Sequence, residues 1–401
     1  MKKKLLFVIN TLSRAGAEVA LLEILQKLDE REFEIFLYVV TGQGELVGRL
    51  PDHVRLLNPV FCADSVLTGK GRRALVKKVC QSFVKNGRII FKIRYVMKNL
   101  VTMMKEKRLR ADKLFWRVLS DGADRFELCF DLAVAWIEGG SAYYVADHVN
   151  ARKKAAFIHI DYESAGYTRA MDQDCFGEFE NIFAVSEETK NHFLQVYPEY
   201  AAKLEVFHNI IDQERICLKA LEKGGFSDGY GGFRVLTVGR LTGQKGFDIA
   251  IEAMKLLKEK GYAIRWYVLG EGEQKKALLR KIQGLHLEKD FLLLGQTENP
   301  YPYYAQADLY VHATRYEGKS IAVQEAQTLG CAVLASDCNG NREQIRDGED
   351  GILCELNPRV IAEKIEELYL DEEKRKMLGE EAGKKKITYE EQLHLFQSLL
   401  E

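Results

Sequence analysis

The sequence predicts an α/β protein built from two doubly wound domains with parallel sheets. Short apolar runs rich in Val, Ile and Phe alternate with apolar residues at helical spacing, which is typical of parallel strands joined by crossover helices. The chain has 401 residues, 47% hydrophobic and 10% aromatic, which is enough for two cores of ordinary size. A polar, glycine-rich stretch at residues 222–232 interrupts the pattern near the middle of the chain.

The apolar runs give thirteen predicted strands in chain order. In the first half we predict strands at Leu5–Asn10, Glu34–Val40, Val54–Leu57, Asp131–Trp136, Ala155–His159, Ile182–Val185 and Leu204–Phe207. In the second half we predict strands at Arg234–Val238, Ile264–Leu269, Phe291–Leu294, Leu309–His312, Ala332–Ala335 and Gly351–Cys354.

These strands divide the chain into two predicted domains. Residues 1–221 form the first domain, residues 222–232 a linker, and residues 233–388 the second domain. The last helical pattern, in residues 389–401, is expected to cross back onto the first domain.

Several classes of protein are not indicated. The amino terminus imitates a signal peptide, but its apolar run is only Leu5–Ile9, so a buried strand is the better interpretation. No apolar run approaches the length of a membrane span. The eight cysteines are scattered without a Cys-x-x-Cys pair, so we expect reduced thiols in a cytoplasm and no structural zinc site.

Two glutamates, Glu317 and Glu325, stand eight residues apart where a loop passes into a helix. If Ser320 caps that helix, Glu325 shares an apolar stripe and turns inward. The stripe consists of Ile321, Ala322, Glu325, Ala326 and Leu329. A buried carboxylate needs a partner, and a ribose diol could donate two hydrogen bonds to Glu325. The N-terminus of the same helix would then face a diphosphate, and Glu317 would face a sugar. The alternative is a solvated Glu317 and a Glu325 paired with a Lys or Arg.

Four segments of the second half occur in the order known from one family. They are Val238–Gly246, Leu269–Gly272, the stretch from Glu317 to Glu325, and Gly340–Ile345 followed by Asp347, Gly348 and Gly351. Through them, residues 235–353 resemble the C-terminal domain of the family-four retaining glycosyltransferases, which take a sugar from a nucleotide diphosphate. A poorer match over residues 1–211 extends the likeness. The resemblance implies the GT-B architecture, in which two Rossmann-like domains face a cleft.

Arg240 and Lys245 follow the predicted strand that ends at Val238. Ligands of open parallel sheets bind beyond the carboxyl ends of the strands. Two cations there can neutralise a diphosphate and stabilise it as it leaves, and the matching residues of the family do so. Solvated loop charges are the alternative.

Gly270 and Gly272 form half of a dinucleotide fingerprint, but Lys275 takes the place of the third glycine, so an NAD or FAD enzyme is not expected. The resemblance implies that this turn contacts the nucleobase through its backbone. A plain tight turn is the alternative.

In the first half, the resemblance points to Gly16 and His159. Gly16 lies in a loop of small residues that approaches phosphate or sugar, although the family's first glycine is Ala15 here. His159 matches a cleft histidine that contacts the transferred sugar, and a purely structural histidine is the alternative. The usual proposal for the family is same-face attack, with a donor phosphate oxygen taking the acceptor proton. Glu317 and Glu325 are therefore not expected to be an acid/base pair.

A second departure from the family is Lys319 followed by Ser320, where many relatives have a bulky apolar residue and then glycine. Lys319 either adds charge near the phosphates or points to solvent, and Ser320 can still cap the helix. No Asp-x-Asp pair lies in a loop suited to a catalytic metal. With two cations and a helix dipole in place, we expect that no metal is required.

Residues 70–117 are strongly basic, with sixteen Lys and Arg against Glu106 and Asp112, a net charge of +14. The whole chain has a net charge of −1, so the remainder carries −15. Such asymmetry requires an anionic partner or a well-solvated surface. Interleaved apolar residues predict amphipathic helices that lie on a membrane or on the domain itself. Nucleic acid is the competing partner, but no recognition motif matches.

The sequence thus predicts a retaining, metal-independent hexosyltransferase that needs no cofactor beyond its donor, for which a UDP-hexose is expected. The expected acceptor is a glycan, lipid-linked and destined for a bacterial surface polysaccharide. We expect the protein to be cytoplasmic and peripheral to the inner face of an anionic membrane, with no nucleic-acid partner. The alternative is a non-catalytic protein that binds anionic lipid or polymer through residues 70–117.

Overall fold

The computed structural model describes residues 2–66, 68–105, 111–162, 165–386 and 390–400. The chain forms two compact units. The first comprises Met1–Ile210 together with Tyr389–Glu401, and the second comprises Ile211–Thr388.

Within the described residues, the first unit contains a seven-stranded parallel sheet with the strand order β3-β2-β1-β4-β5-β6-β7. Its strands are β1 (Lys3–Ile9), β2 (Phe33–Val39), β3 (Val54–Leu56), β4 (Phe130–Ala135), β5 (Ala151–Ile158), β6 (Asn181–Ala184) and β7 (Leu204–Val206). Its helices are α1 (Gly16–Lys27), α2 (Gly69–Val84), α3 (Ile89–Lys105), α4 (Ala111–Leu114), α5 (Trp116–Asp121), α6 (Gly140–His148), α7 (Arg169–Asp172) and α8 (Glu187–Val196).

The described part of the second unit contains a six-stranded parallel sheet with the order β10-β9-β8-β11-β12-β13. Its strands are β8 (Phe233–Val238), β9 (Ile264–Leu269), β10 (Phe291–Gly295), β11 (Leu309–His312), β12 (Val333–Ser336) and β13 (Ile352–Cys354). Its helices are α9 (Gln213–Ala220), α10 (Phe247–Glu259), α11 (Lys275–Gly284), α12 (Tyr301–Gln306), α13 (Ile321–Thr328), α14 (Asn339–Arg342), α15 (Pro358–Leu370) and α16 (Glu372–Gly383).

All thirteen predicted strands are present, and the α/β prediction is confirmed. The largest displacement is at β5, which begins at Ala151 rather than Ala155. Residues 151–154 include the charged Arg152, Lys153 and Lys154, so the apolar pattern did not predict them as strand. Their backbone nevertheless pairs with β4. Ladder hydrogen bonds, rather than apolar side chains, therefore extend this strand.

The division between the units differs from the predicted linker at residues 222–232. It falls after Ile210, because α9 belongs to the second unit and packs on α12 and α13, with Ile216 in the buried cluster there. Part of the glycine-rich stretch is also fastened to that unit. The Asp228 carboxylate accepts hydrogen bonds from the Tyr267 hydroxyl at 2.6 Å and from the Arg265 guanidinium at 2.8 Å.

The C-terminal helix, α17 (Glu390–Ser398), belongs to the first unit. Its Phe396 is fully buried and stacks on Phe7 of β1 with ring centroids 5.6 Å apart. The first and last residues of the predicted segment 389–401, Tyr389 and Glu401, lie outside the described residues.

The basic segment at residues 70–117 forms α2 to α5 of the first unit, and residues 106–110 of it lie outside the described residues. The predicted amphipathic helices are thus present as α2 and α3. In the part of the chain that the structure describes, we find no helix with both the length and the apolar character needed to cross a bilayer.

A buried carboxylate, Asp172, organises the helical side of the first unit. It is completely buried and accepts hydrogen bonds from three tyrosine hydroxyls, those of Tyr143 and Tyr162 at 2.7 Å and that of Tyr197 at 2.6 Å. Burial raises the pKa of Asp172, although the tyrosine hydrogen bonds oppose this shift. The Arg117 guanidinium donates to the Asp172 carbonyl oxygen at 2.5 Å, which ties α5 to the same point.

We expect Asp172→Ala to lower the free energy of unfolding by about 3–5 kcal/mol, because three buried hydroxyls lose their acceptor at once. Asp172→Asn should cost less, since its amide oxygen still accepts. Urea denaturation of both variants, with the exposed Glu178→Ala as control, measures the effect. An Asp172→Ala midpoint equal to that of the control would contradict this role.

Candidate active site

The switch point of the second sheet lies between β8 and β11. From β8 the chain proceeds outward through β9 to β10, then crosses to β11 on the other side of β8. In open parallel sheets, this is the crevice where ligands bind. Arg240 and Lys245 follow β8, and Glu317 follows β11, so the sheet brings these predicted residues to one edge.

Lys245 and Glu317 form an ion pair in which the ammonium donates a hydrogen bond to Oε2, and both side chains are mostly buried. The imidazole Nε2 of His312, the last residue of β11, lies 3.1 Å from the same oxygen. Burial alone would raise the pKa of Glu317, but the charge of Lys245 and the His312 hydrogen bond outweigh it and lower the pKa to about 2. Glu317 is therefore ionised at every physiological pH.

His312 is buried, and burial together with the nearby Lys245 charge lowers its pKa below the ordinary value. A neutral imidazole has one proton. Since Nε2 faces the carboxylate, we place that proton on Nε2; the Tyr310 hydroxyl, which also donates to the Val238 carbonyl, lies 3.1 Å from Nδ1. His312 is thus uncharged and donates a hydrogen bond to the Glu317 carboxylate.

Arg240 is not engaged in the same way as Lys245. Its side chain is exposed and forms no ion pair with the residues that the structure describes. The aliphatic part of Lys245 passes beside Gly239, at 3.7 Å from the place of a Cβ there. Of the two predicted phosphate cations, Arg240 thus has no ion-pair partner among the described residues, and Lys245 is bound to a carboxylate.

Gly270 and Gly272 let two loops lie against each other. A Cβ at Gly270 would stand 1.9 Å from the Gly239 carbonyl oxygen, and one at Gly272 would stand 2.3 Å from that of Leu241. Gly270 also has φ +152, which side chains rarely adopt. Hydrogen bonds at 3.0 Å, from Leu241 N–H to the Glu271 carbonyl and from Gln274 N–H to the Leu241 carbonyl, close this contact. The turn therefore has a structural reason for its glycines, and the nucleobase contact stays a prediction.

A further glycine holds the Glu317 loop. A Cβ at Gly340, in α14, would stand 1.7 Å from the Gly318 carbonyl oxygen and 2.3 Å from that of Glu317. Any side chain at residue 340 would push the loop away and displace the Glu317 carboxylate.

The helix α13 starts at Ile321 after Ser320, which occupies the N-cap position. The predicted side-chain cap is wrong, because the Ser320 hydroxyl makes no capping hydrogen bond. The backbone N–H groups of the first turn, beginning at Ile321, have no acceptor inside the helix.

Glu325 is 8% exposed, so its inward orientation is confirmed. The hydroxyl of Tyr304 donates to Glu325 Oε2 at 3.0 Å. A carboxylate group has two acceptor oxygens, and the Tyr304 hydroxyl contacts one of them. The ribose role of Glu325 stays a prediction.

His159 and Gly16 belong to the first unit. His159 follows β5, and its backbone N–H donates to Oε2 of the buried Glu138 at 3.0 Å. Burial lowers the pKa of His159 to about 3, and among the described residues its buried Nε2 has no hydrogen-bond partner. Gly16 is the exposed first residue of α1, and Ala15 before it has an extended backbone that alanine adopts without strain.

Sequence reasoning missed His312, Tyr304 and Glu138. His312 ends an apolar strand five residues before Glu317, and Glu138 follows β4 at the carboxyl edge of its sheet, so position after a strand was an available signal for both. Tyr304 lies in α12 and reaches Glu325 only through the fold.

The chain is similar to several known proteins. Residues 230–385 match the family described as glycosyl transferases group 1. Over 156 residues the chain is 38% identical to the N-acetylgalactosamine-N,N'-diacetylbacillosaminyl-diphospho-undecaprenol 4-alpha-N-acetylgalactosaminyltransferase of Campylobacter jejuni, covering 39% of this chain and 41% of that one. Over 244 residues it is 25% identical to the amylovoran biosynthesis glycosyltransferase AmsD of Erwinia amylovora, covering 59% and 66%. The chain therefore spans less than two thirds of the length of these relatives.

Among solved structures, HepE of Anabaena in complex with UDP-glucose matches with a TM-score of 0.66 at 17% identity, covering 99% of this chain and 98% of HepE. At that identity the likeness shows the fold alone. Residues 230–385, in the second unit, thus match the glycosyl transferases group 1 family, and the chain has the two Rossmann-like domains of the GT-B fold.

Proposed function

We propose that the protein is a retaining glycosyltransferase that moves a hexose from a nucleotide diphosphate sugar, a UDP-hexose, to a glycan acceptor. The observation that carries the proposal is the grouping of Lys245, Glu317 and His312 at the switch point of the second sheet. The named relatives support the donor and acceptor classes, because HepE was solved with UDP-glucose and the Campylobacter jejuni enzyme is named for an undecaprenol-linked substrate.

The donor diphosphate requires positive charge, and two sources are ready to supply it. Arg240 is exposed and unpaired with any described residue, and the first-turn N–H groups of α13 lack helical acceptors. When the donor binds, Lys245 contacts its phosphate and gives up part of its contact with Glu317. As the bond to the sugar breaks, these groups stabilise the nucleoside diphosphate that leaves.

Glu317 and His312 suit recognition of sugar hydroxyls. A carboxylate with a pKa of about 2 is permanently ionised, so it accepts hydrogen bonds and does not protonate a leaving group. His159, with a pKa of about 3, is a weak base near neutral pH. These properties support same-face attack, in which a phosphate oxygen of the departing nucleotide takes the proton of the acceptor hydroxyl.

The acceptor we propose is a lipid-linked glycan of a surface polysaccharide, which places the enzyme on the cytoplasmic face of a membrane. The name of the Campylobacter jejuni relative and the basic helices α2 and α3 support this placement. No metal has a role in this proposal, because Arg240, Lys245 and the α13 dipole supply the charge.

Purified protein should hydrolyse UDP-hexose slowly and transfer the hexose to a lipid-linked acceptor. We expect Arg240→Ala and Lys245→Ala each to lower turnover by at least about tenfold, because each removes charge from the leaving group. Lys255→Ala, a surface change on α10, is the matched control. Absence of hydrolysis in the folded wild type would favour a non-catalytic binding protein.

Glu325→Gln should weaken binding of a nucleoside diphosphate by about 1.5–3 kcal/mol, the range for hydrogen bonds to a charged group. The amide replaces one acceptor with a donor that faces the ribose. Tyr304→Phe keeps the carboxylate, so it should bind the same ligand at least as well as wild type. Isothermal titration measures both variants, and unchanged affinity in a folded Glu325→Gln protein would exclude the ribose assignment.

The Lys245–Glu317 pair also predicts an acid-dependent loss of stability. The folded pKa of Glu317 lies at about 2, below the ordinary 4.5, so its contribution is complete above pH 4.5 and is lost as pH falls towards 2. The shift corresponds to at most about 3 kcal/mol. Glu317→Gln should therefore flatten the fall of unfolding free energy within this window. If wild type and variant lose stability in parallel there, the pair is not formed in solution.

A further inference from the structure

The helix α3 turns an apolar face to solvent. Five large apolar residues on it lie at spacings of three or four and are between 46% and 73% exposed: Ile90, Ile93, Met97, Val101 and Met104. At this spacing they form one continuous stripe along the helix. We call these five residues the α3 stripe.

Polar contacts fix this orientation on the opposite, buried face of α3. The Lys92 ammonium donates at 2.7 Å to the carbonyl oxygens of Ser82 and Lys85, and so caps the C-terminal end of α2. The Tyr95 hydroxyl donates to the Met171 carbonyl at 3.1 Å. The buried face of α3 thus combines these polar contacts with apolar packing of Met103 and Leu100, and the α3 stripe is left facing outward.

Cations border the α3 stripe. Arg94, Lys98 and Lys105 are exposed and follow the stripe at helical spacing on one side. From residue 70 to residue 105 the chain has no Asp or Glu and eleven cations: Lys70, Arg72, Arg73, Lys77, Lys78, Lys85, Arg88, Lys92, Arg94, Lys98 and Lys105. Of these, Lys92 is buried on the anchoring face and Lys85 pairs with Asp124, whereas Arg94, Lys98 and Lys105 lie exposed beside the apolar stripe.

The charge pattern selects the occupant. A second copy of this face would bring like charges together, which opposes self-association. Nucleic acid would satisfy the cations but leave the apolar stripe in water. An anionic bilayer satisfies both, because its phosphates meet the cations and its acyl chains accept the apolar side chains.

We infer that the α3 stripe inserts into the acyl region of an anionic membrane while the cations around it contact lipid phosphates. This deepens the proposed location at a membrane and rests on it, but it does not depend on the proposed reaction. Binding then has two components, an electrostatic one that salt screens and a hydrophobic one that salt leaves intact.

The test is co-sedimentation with vesicles of phosphatidylglycerol and phosphatidylcholine. The triple variant Ile93→Gln, Met97→Gln, Val101→Gln should partition at least about tenfold more weakly than wild type, because it removes insertion and keeps every cation. At high salt the wild type should stay partly bound and the triple variant should not. The matched control is Leu218→Gln, Leu221→Gln, Leu370→Gln, three exposed apolar residues of the second unit, and it should bind as wild type does.

A second measurement reports depth directly. Met97→Trp should gain fluorescence that brominated acyl chains quench upon vesicle binding, beyond the signal of the wild-type tryptophans. Equal partitioning of wild type and triple variant, or no added quenching at residue 97, overturns insertion. A dimer in sedimentation equilibrium that the triple variant abolishes would assign the stripe to a second copy instead.

Failure of this inference and failure of the proposed reaction are distinguishable. Donor hydrolysis is measured without vesicles, and the triple variant should retain it at the wild-type rate. If the protein binds vesicles through the α3 stripe but hydrolyses no UDP-hexose, membrane insertion is supported and the proposed reaction is contradicted.

Discussion

The ion pair between Lys245 and Glu317 is the constraint on which the candidate site depends. It joins the loop after β8 to the loop after β11, across the point where the strand order reverses. A lone buried carboxylate in this position would protonate, and a lone lysine would seek solvent. Together, and with His312 as a third partner, they keep full charges in a mostly buried place. The same pair therefore holds the charges that the proposed diphosphate sugar would need.

That pair requires backbones to approach closely around it. Gly270 and Gly272 bring the loop after β9 against the loop after β8, and Gly340 brings α14 against the Glu317 loop. Each glycine is placed where a methyl group would overlap a carbonyl oxygen. The family motifs thus have two components: charged residues, which we propose to face the ligand, and glycines that set the distances between the loops carrying them. A glycine motif is consequently weaker evidence for ligand contact than a charged residue in the same loop.

The sequence was sufficient to predict the positions of the strands. Buried parallel strands are short apolar runs, whereas the apolar residues of helices recur every three or four residues. It placed the domain boundary wrongly at residues 222–232, since glycine content does not show that α9 packs through Ile216 into the second core. Glu325 was correctly predicted to face inward, but its Tyr304 partner comes from α12, which no local pattern links to α13. Ser320 is of a residue type that often caps helices, but its hydroxyl makes no capping hydrogen bond to α13. In α3 the apolar period was visible, but the buried face was not, because α3 has apolar residues on both faces and the buried one also includes Lys92 and Tyr95.

The charges of particular side chains in the two units bear on the proton that the proposed glycosyl transfer would move. Glu317 is held ionised by Lys245, and His159 is held neutral by burial, so neither changes protonation near neutral pH. Glu138, beside His159, has its pKa raised by burial, yet its Oε2 already accepts the His159 backbone N–H. None of these side chains is thus poised to exchange a proton near neutral pH. This agrees with the proposed same-face mechanism, in which a phosphate oxygen of the departing diphosphate takes the proton of the acceptor hydroxyl.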